Sequence, residues 1–201
     1  MPAKILVINE PFIKGFCRTQ RWAARTRGRV LRAPDWLAYC SAVLEREGFN
    51  VELFDFPANN WDKDKLANLV REKLPDFVVL DSTTPSIYSD IECARICKEQ
   101  SAAKIIMVGP HMSALPKETL ALAQGTVDVG VVGEYDYAVR DIINNFDRLT
   151  DVKGVVFWEK GVVKATKPRG FIENLDEVPF PAWHHLDLMK YFDGSKLYPY
   201  Q

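Results

Sequence analysis

Short apolar runs alternate along the chain with longer amphipathic segments. Strands are predicted at residues 4–8 (KILVI), 51–54, 77–80 (FVVL), 104–108 (KIIMV) and 127–132. Helices are predicted from Pro34 up to Gly48 and at residues 61–74, 87–100, 117–123 and 135–146. Continuous apolar strands of this kind are typical of a parallel sheet buried on both faces. The pattern therefore predicts a doubly wound, five-stranded parallel α/β fold.

The pattern changes after about residue 150. Residues 154–158 and 162–165 are apolar and flank a Glu-Lys-Gly turn, which predicts a β-hairpin. Residues 171–201 are rich in proline and aromatic side chains and are interpreted as an extended linker. We therefore expect an α/β domain at residues 1–150, and a hairpin and linker at residues 151–201 that lead to another surface.

Composition excludes several classes of protein. The 201 residues are 47% hydrophobic and 26% charged, which is ordinary for a folded soluble protein. A net charge of -1 argues against a general nucleic-acid-binding protein, and no apolar run is long enough for a membrane span. Four cysteines make no disulfide framework, so a cytoplasmic location is expected.

A cluster of small polar residues ends the strand at residues 77–80. Asp81 is followed by Ser82, Thr83, Thr84 and Pro85. In an open α/β sheet, ligands bind outside the carboxyl ends of the strands, near the point where strand order reverses. The hydroxyl groups either contact such a ligand or cap the next helix, and the tripeptide alone leaves both readings open.

Three hypotheses of nucleotide or phosphate binding find little support in the sequence motifs. The turn after the first strand lacks the glycines of a dinucleotide-binding fingerprint, and no Walker-type loop occurs. A phospho-receiver domain would use Asp81 as the phosphorylated aspartate. However, the fifth strand is followed by Glu134, where a carboxylate would repel the phosphoryl group. The receiver reading stays testable by acetyl phosphate labelling of Asp81.

Residues 9–33 show no hydrophobic period and hold six arginines. Long connections of this kind are usually functional or mobile. The segment is either a solvated insertion whose arginines pair with surface acids, or a basic flap over an anionic ligand or docking surface. The arginines are Arg18, Arg21, Arg25, Arg27, Arg29 and Arg32.

Five short motifs are spread along nearly the whole chain. In order, they are residues 81–85 (DSTTP), 108–116 (VGPHMSALP), 133–134 (GE), 154–157 (GVVF) and 175–183 (LDEVPFPAW). Together they resemble the N-terminal cobalamin-binding domain of B12-dependent radical S-adenosylmethionine enzymes. The resemblance implies a flavodoxin-like, Rossmann-type B12-binding domain.

A corrin ring is fringed with amides, so its binding requires a broad platform with hydroxyl groups and close backbone approach. The resemblance implies a cofactor-binding set at four strand ends, with no catalytic residue and no metal ligand from this chain. That set is Asn9, Pro11, Ser82, Thr83, Thr84, Pro85, Gly109, Pro110, His111, Gly133 and Glu134.

One departure concerns the lower side of the cobalt. Corrinoid proteins that replace the lower base carry Asp-x-His-x-x-Gly after the first strand. Residues 10–15 read EPFIKG here, with Phe12 in the histidine position. The resemblance then implies base-off cobalamin without a histidine ligand, which suits methyl transfer.

The radical half of such an enzyme is not in this sequence. Its [4Fe–4S] cluster needs Cys-x3-Cys-x2-Cys, whereas Cys93 and Cys97 are followed by Gln100 and are interpreted as buried helix thiols. We therefore expect an N-terminal fragment whose partner is a radical SAM barrel of the same polypeptide, acting on a small-molecule substrate. The cluster and S-adenosylmethionine would be bound there. The alternative is a stand-alone corrinoid or small-ligand carrier.

His184 and His185 suggest a metal site, but two adjacent histidines without further ligands bind weakly.

Overall fold

A mixed sheet with helices on both faces forms the fold in the computed structural model, which describes residues 2–18, 24–25 and 31–191. The strands are β1 (Lys4–Asn9), β2 (Phe16–Cys17), β3 (Ala24–Arg25), β4 (Asn50–Asp55), β5 (Phe77–Asp81), β6 (Lys104–Val108), β7 (Val129–Val131), β8 (Val155–Glu159) and β9 (Val162–Ala165). The helices are α1 (Asp35–Arg46), α2 (Phe56–Asn59), α3 (Lys63–Lys73), α4 (Ile87–Gln100), α5 (Pro110–Ala114), α6 (Pro116–Ala123) and α7 (Asp136–Asn144).

The order of strands confirms the predicted fold class. The main sheet runs β4-β1-β5-β6-β7-β8-β9, and its first five strands are parallel. In chain order of these five strands the arrangement is 2-1-3-4-5, the flavodoxin-like order. The predicted hairpin is confirmed as β8 and β9. It extends the sheet to seven strands, because β8 pairs antiparallel with β7.

The parallel strands are buried on both faces, as their apolar runs predict. Along β1, Leu6 and Ile8 belong to the core under α3, α4 and α6, whereas Ile5 and Val7 belong to the core under α1 and α7. This alternation follows from the two-residue period of a strand. The two cores hold the carboxyl ends of the strands in fixed register at one edge of the sheet.

Prolines set the helix boundaries after β6. The sequence predicts one helix there, near residues 117–123. Instead, α5 begins immediately at Pro110 and α6 begins at Pro116. Proline is favoured in the first helical turn, and it disfavours helical backbone in the residue before it. Leu115, before Pro116, accordingly separates the two helices.

The described part of the predicted linker packs back onto the α/β unit. The backbone amide of Ala182 donates a hydrogen bond to the Ala38 carbonyl of α1. Trp183 packs against the α1 core, and Tyr191 is only 1% exposed. Residues 192–201 lie outside the described residues. Among the residues that the structure describes, no helix combines the length and apolar character needed to cross a membrane.

Candidate functional site

The predicted site residues lie at the carboxyl ends of four neighbouring parallel strands. The chain passes from β1 to β4 on one side and returns past β1 to β5, so strand order reverses between β1 and β5. This reversal point is where α/β sheets bind ligands. The loops after β1, β5, β6 and β7 therefore form one platform.

Ser82 fastens the β5 loop to the β6 loop. Its hydroxyl donates to the Val108 carbonyl at 2.6 Å and accepts from the Met112 amide at 3.0 Å. Its carbonyl accepts from the His111 amide at 3.2 Å. The side chain is fully buried, so its hydroxyl serves the protein framework.

Thr83 is also engaged inside the protein. Its amide donates to Asp90 Oδ2 at 3.2 Å, and its hydroxyl pairs with that of Ser86 at 2.8 Å. The residue is 3% exposed. These bonds order the turn that precedes α4, but the Thr83 hydroxyl caps no helical amide group.

Thr84 is the hydroxyl residue of this cluster that faces outward. Its Oγ1 lies 3.1 Å from Nδ1 of His111, which bridges the β5 and β6 loops. Burial lowers the pKa of the His111 imidazole, which favours its neutral form. The neighbouring prolines, Pro85 and Pro110, are exposed. Thr84 and the rim of His111 thus present polar atoms on the platform.

Gly109 allows the β5 and β6 loops to approach closely. Its φ is +99°, a backbone conformation that side chains disfavour. A Cβ atom at this position would lie 2.7 Å from both the backbone nitrogen and the carbonyl oxygen of Ser82, and would overlap Asp81 Oδ1. Glycine is therefore required here by space as well as by conformation.

Gly133 and Glu134 form the β7 side of the platform, and both are exposed. The Gly133 amide donates to the Ser113 hydroxyl at 3.1 Å. Glu134 Oε2 accepts from the Ile172 amide at 2.9 Å, which ties the platform to the linker. A cleft of about 160 Å³ lies beside Glu134 and is lined by Tyr137 and residues 169–172.

Asn9 and Pro11 place the β1 end at the same edge, and both are buried. Asn9 Nδ2 donates to Asp55 Oδ1 at 2.9 Å, and the Pro11 carbonyl accepts from the Ser89 hydroxyl at 3.4 Å. Within the described ranges, the buried Oδ1 of Asn9 has no hydrogen-bond partner. Because Asn9 is only 2% exposed, this atom lies beneath the surface of the platform.

A buried ionic cluster beneath the platform was not predicted from the sequence. The Arg18 guanidinium lies 2.6 Å from Glu10 Oε2 and 2.9 Å from Asp90 Oδ1, and all three side chains are inaccessible to solvent. It also donates to the Asp81 carbonyl at the end of β5, at 2.9 Å. Arg18 thus joins β1, β5 and α4 at the point where strand order reverses.

Burial controls the charges of this cluster. It raises the pKa of Glu10 well above its usual range, with Arg18 acting in the opposite direction. It raises the pKa of Asp90 to about 6, again opposed by Arg18. Desolvation also raises the pKa of Asp81, and Arg18 lowers it. Since the carboxyl groups outnumber the one guanidinium, Arg18 is the cation that makes their burial tolerable.

The rest of the arginine-rich segment is only partly described. Arg32 forms a half-exposed ion pair with Asp35 at 2.8 Å. Arg21, Arg27 and Arg29 lie outside the described residues, so a basic flap over an anionic ligand and a docking surface both stay predictions. Arg18 fits neither of them, because it pairs with buried acids.

Cys93 and Cys97 are confirmed as buried helix thiols. Both lie on the inner face of α4 and form no disulfide. Burial raises the pKa of both thiols, that of Cys97 to about 12. Thiolates are the ligands of iron–sulfur clusters, so these protonated thiols are structural.

The fold and platform define an α/β module that binds a ligand at the carboxyl ends of its strands. The family model of the B12 binding domain matches residues 33–143. The chain therefore belongs to the B12-binding domain family.

Curated relatives extend this assignment. An uncharacterized methyltransferase of Pyrococcus horikoshii is 28% identical over 162 residues, which are 79% of this chain and 35% of that protein. The anaerobic magnesium-protoporphyrin IX monomethyl ester cyclase of Cereibacter sphaeroides is 26% identical over 166 residues, 79% of this chain and 27% of that enzyme. The chain thus spans about a third or less of these relatives.

Solved structures share the fold. The cobalamin-dependent S-adenosylmethionine radical enzyme OxsB, with aqua-cobalamin and S-adenosylmethionine bound, matches with a TM-score of 0.71 at 18% identity, over 90% of this chain and 24% of OxsB. The radical S-adenosylmethionine methyltransferase TsrM of Kitasatospora setae, with cobalamin and a [4Fe–4S] cluster bound, matches with a TM-score of 0.67 at 16% identity, over 83% of this chain and 31% of TsrM. The platform therefore belongs to a fold that these radical enzymes also contain.

Proposed function

We propose that this chain is the cobalamin-binding module of a B12-dependent radical S-adenosylmethionine enzyme. The observation that carries the proposal is the family match together with an exposed platform at the strand-reversal point. A corrin carries amide groups, and the platform offers the Thr84 hydroxyl and the His111 edge to meet them. When bound, cobalamin would supply a cobalt centre that carries a methyl group.

The predicted cofactor residues divide into two roles in this proposal. Ser82, Thr83 and Gly109 shape the platform from inside, because their polar atoms or close contacts are used within the protein. Asn9 and Pro11 are also buried, and only the edge of His111 is accessible, with the residue 7% exposed. The exposed residues of the set line the surface. These are Thr84, Pro85, Pro110, Gly133 and Glu134.

We further propose that cobalamin binds base-off and without a histidine ligand. Phe12 occupies the position of the ligating histidine, and its ring packs edge-on against Phe16 with centroids 5.0 Å apart. His111 Nδ1 is engaged with Thr84, and both remaining histidines, His184 and His185, contact Glu45 on α1. Electron paramagnetic resonance of the Co(II) form tests this directly. Superhyperfine splitting by a nitrogen ligand would contradict it.

For the whole protein we propose that residues 1–150 bind cobalamin and residues 151–201 lead to a radical SAM barrel of the same polypeptide. That barrel would hold the [4Fe–4S] cluster and S-adenosylmethionine, and would methylate or rearrange a small-molecule substrate. The greater length of the relatives supports this division. A Cys-x3-Cys-x2-Cys motif within a few tens of residues beyond Gln201 distinguishes it from a stand-alone corrinoid carrier.

Titration of the chain with hydroxocobalamin, followed by the corrin absorption bands, tests cofactor binding. Thr84→Ala should weaken binding about 5- to 10-fold, since one hydrogen bond contributes on the order of 1 kcal/mol. Thr150→Ala is the matched control, because Thr150 is exposed and distant in the fold from the strand ends. An unchanged corrin spectrum with the wild-type chain would refute the proposal. Equal affinities of the two variants would refute the role of Thr84.

A further inference from the structure

Three side chains with metal-binding groups meet at the opposite edge of the sheet from the platform. Glu45 lies in the last turn of α1, which leads into the amino end of β4. Its Oε1 lies 2.9 Å from Nε2 of His184 and 2.7 Å from Nε2 of His185. One ligand atom from each of the three residues falls within 4.8 Å of the others.

The backbone holds these side chains in place before any ion binds. The two histidines end a 3-10 turn (Trp183–His185) of the linker. Ala182, just before the turn, is bonded to the Ala38 carbonyl at 3.0 Å, and Trp183 packs in the core beside α1. The histidines are therefore presented to Glu45 by an anchored segment, although 139 residues or more separate them along the chain.

We propose that Glu45, His184 and His185 form a binding site for a divalent transition-metal ion of the Zn²⁺ class. Two imidazoles and one carboxylate are an established ligand set for zinc, with a fourth position left to water. Ligand bonds of 2.0–2.1 Å in tetrahedral geometry place neighbouring ligand atoms about 3.3 Å apart. The side chains need to separate by only about half an ångström to admit the ion, and the partly exposed His184 and Glu45 have room to do so.

The position of the site gives it a structural consequence. An ion bound here would connect the linker to the end of α1, next to the Ala182–Ala38 hydrogen bond. The carbonyl end of a helix carries partial negative charge, which also favours a cation. The ion would thus hold the linker against the α/β unit. This proposal is independent of cobalamin binding, because the site lies at the other edge of the sheet.

The test is a Zn²⁺ competition titration against a chromophoric chelator, using the untagged, cobalamin-free chain at pH 7.5. We expect one Zn²⁺ per chain. Removal of an outer partner of a metal ligand already weakens binding 10- to 100-fold, so loss of a ligand should cost about 100-fold or more. His184→Ala, His185→Ala and Glu45→Gln should each show this loss. Glu47→Gln is the control, because Glu47 lies nearby on the same helix end but pairs with Arg140.

A second measurement separates metal binding from folding. Each variant is first checked for wild-type circular dichroism, and amide hydrogen exchange of residues 182–186 is then recorded with and without Zn²⁺. Zn²⁺ should slow exchange in the wild type and in Glu47→Gln, but not in the ligand variants. If folded His184→Ala and His185→Ala bind Zn²⁺ as tightly as the wild type, or if the wild type fails to compete with the chelator, the proposal is wrong. The contacts would then be hydrogen bonds from the two imidazole rings to one carboxylate oxygen.

Discussion

Replacement of Arg18 tests the account of the buried ionic cluster. Arg18→Met keeps an unbranched apolar stem but removes the guanidinium that faces Glu10 and Asp90, both fully buried. Loss of one partner of a buried ion pair leaves an uncompensated charge and typically costs about 3–5 kcal/mol. We expect a loss of this size in the free energy of unfolding, measured by urea denaturation at pH 7.

The pH dependence of this loss follows from the direction of the pKa shifts. Arg18 lowers the pKa of Glu10 and of Asp90 against the effect of burial, so both values rise further in the variant. The folded variant then holds protons that the unfolded chain releases, and its stability increases as the pH falls. One proton is worth about 1.4 kcal/mol per pH unit. In the wild type Asp90 also takes up its proton near pH 6, so the gap between the two proteins should narrow by about 1.4 kcal/mol for Asp90 between pH 7 and pH 5.

Arg95→Met is the matched control. Arg95 pairs with Glu99 on the surface of α4 and is half-exposed, so its removal should cost less than about 1 kcal/mol. The double variant Arg18→Met with Glu10→Gln should recover part of the loss, because one stranded carboxyl group is gone. The reasoning fails if Arg18→Met costs no more than Arg95→Met at pH 7, or if its cost is the same at pH 5.

Two further substitutions test contacts at the ends of β4, β5 and β6. Gly109→Ala should lower the free energy of unfolding by at least about 3 kcal/mol, because the new Cβ would meet the backbone of Ser82. Gly161→Ala is the control, because Gly161 also has a positive φ but lies in open space; it should cost only about 1–2 kcal/mol. Equal losses in the two glycine variants would disprove the close approach. Tyr191→Phe removes a hydroxyl that donates to buried Asp55 Oδ2 at 2.6 Å, and should cost about 1–3 kcal/mol in urea denaturation. An unchanged midpoint would show that this hydrogen bond adds nothing to stability.

The strands and their polar ends were predictable because their signals are local. A continuous apolar run such as FVVL at residues 77–80 needs burial on both faces wherever it lies. The strand predicted at residues 127–132 is longer than β7, which begins only at Val129. Just before it, the Asp128 carboxylate accepts a hydrogen bond from the Ile105 amide at 2.6 Å, so a side chain takes the place of a backbone acceptor in the sheet. Local patterns thus predicted the strands of the main sheet, but not their exact ends, and they did not predict the two-residue strands β2 and β3.

The roles of individual polar residues were less predictable. Six arginines in residues 18–32 look alike in the sequence, and Arg18 differs only because folding brings Asp90, 72 residues later, to its side. A signal did exist: Asp90 shares the buried face of α4 with Ile87, Ala94 and Cys97, where a carboxylate needs a cationic partner. Likewise, the sequence predicted no metal ligand in His184 and His185, because the Glu45 carboxylate reaches them only through folding.

The hairpin at the end of the sheet also determines where the chain can be shortened without exposing an open strand edge. Its first strand covers β7, with Val155, Val156 and Phe157 at 1%, 2% and 7% exposure. A chain cut before the hairpin would leave β7 as an open apolar edge, the kind of surface on which separate molecules add strands to one another. The outermost strand is instead β9, where Lys164 pairs with Glu159 in solvent and charge discourages such association. The hairpin therefore protects the sheet edge from aggregation. A fragment that is meant not to aggregate needs the chain through at least Ala165.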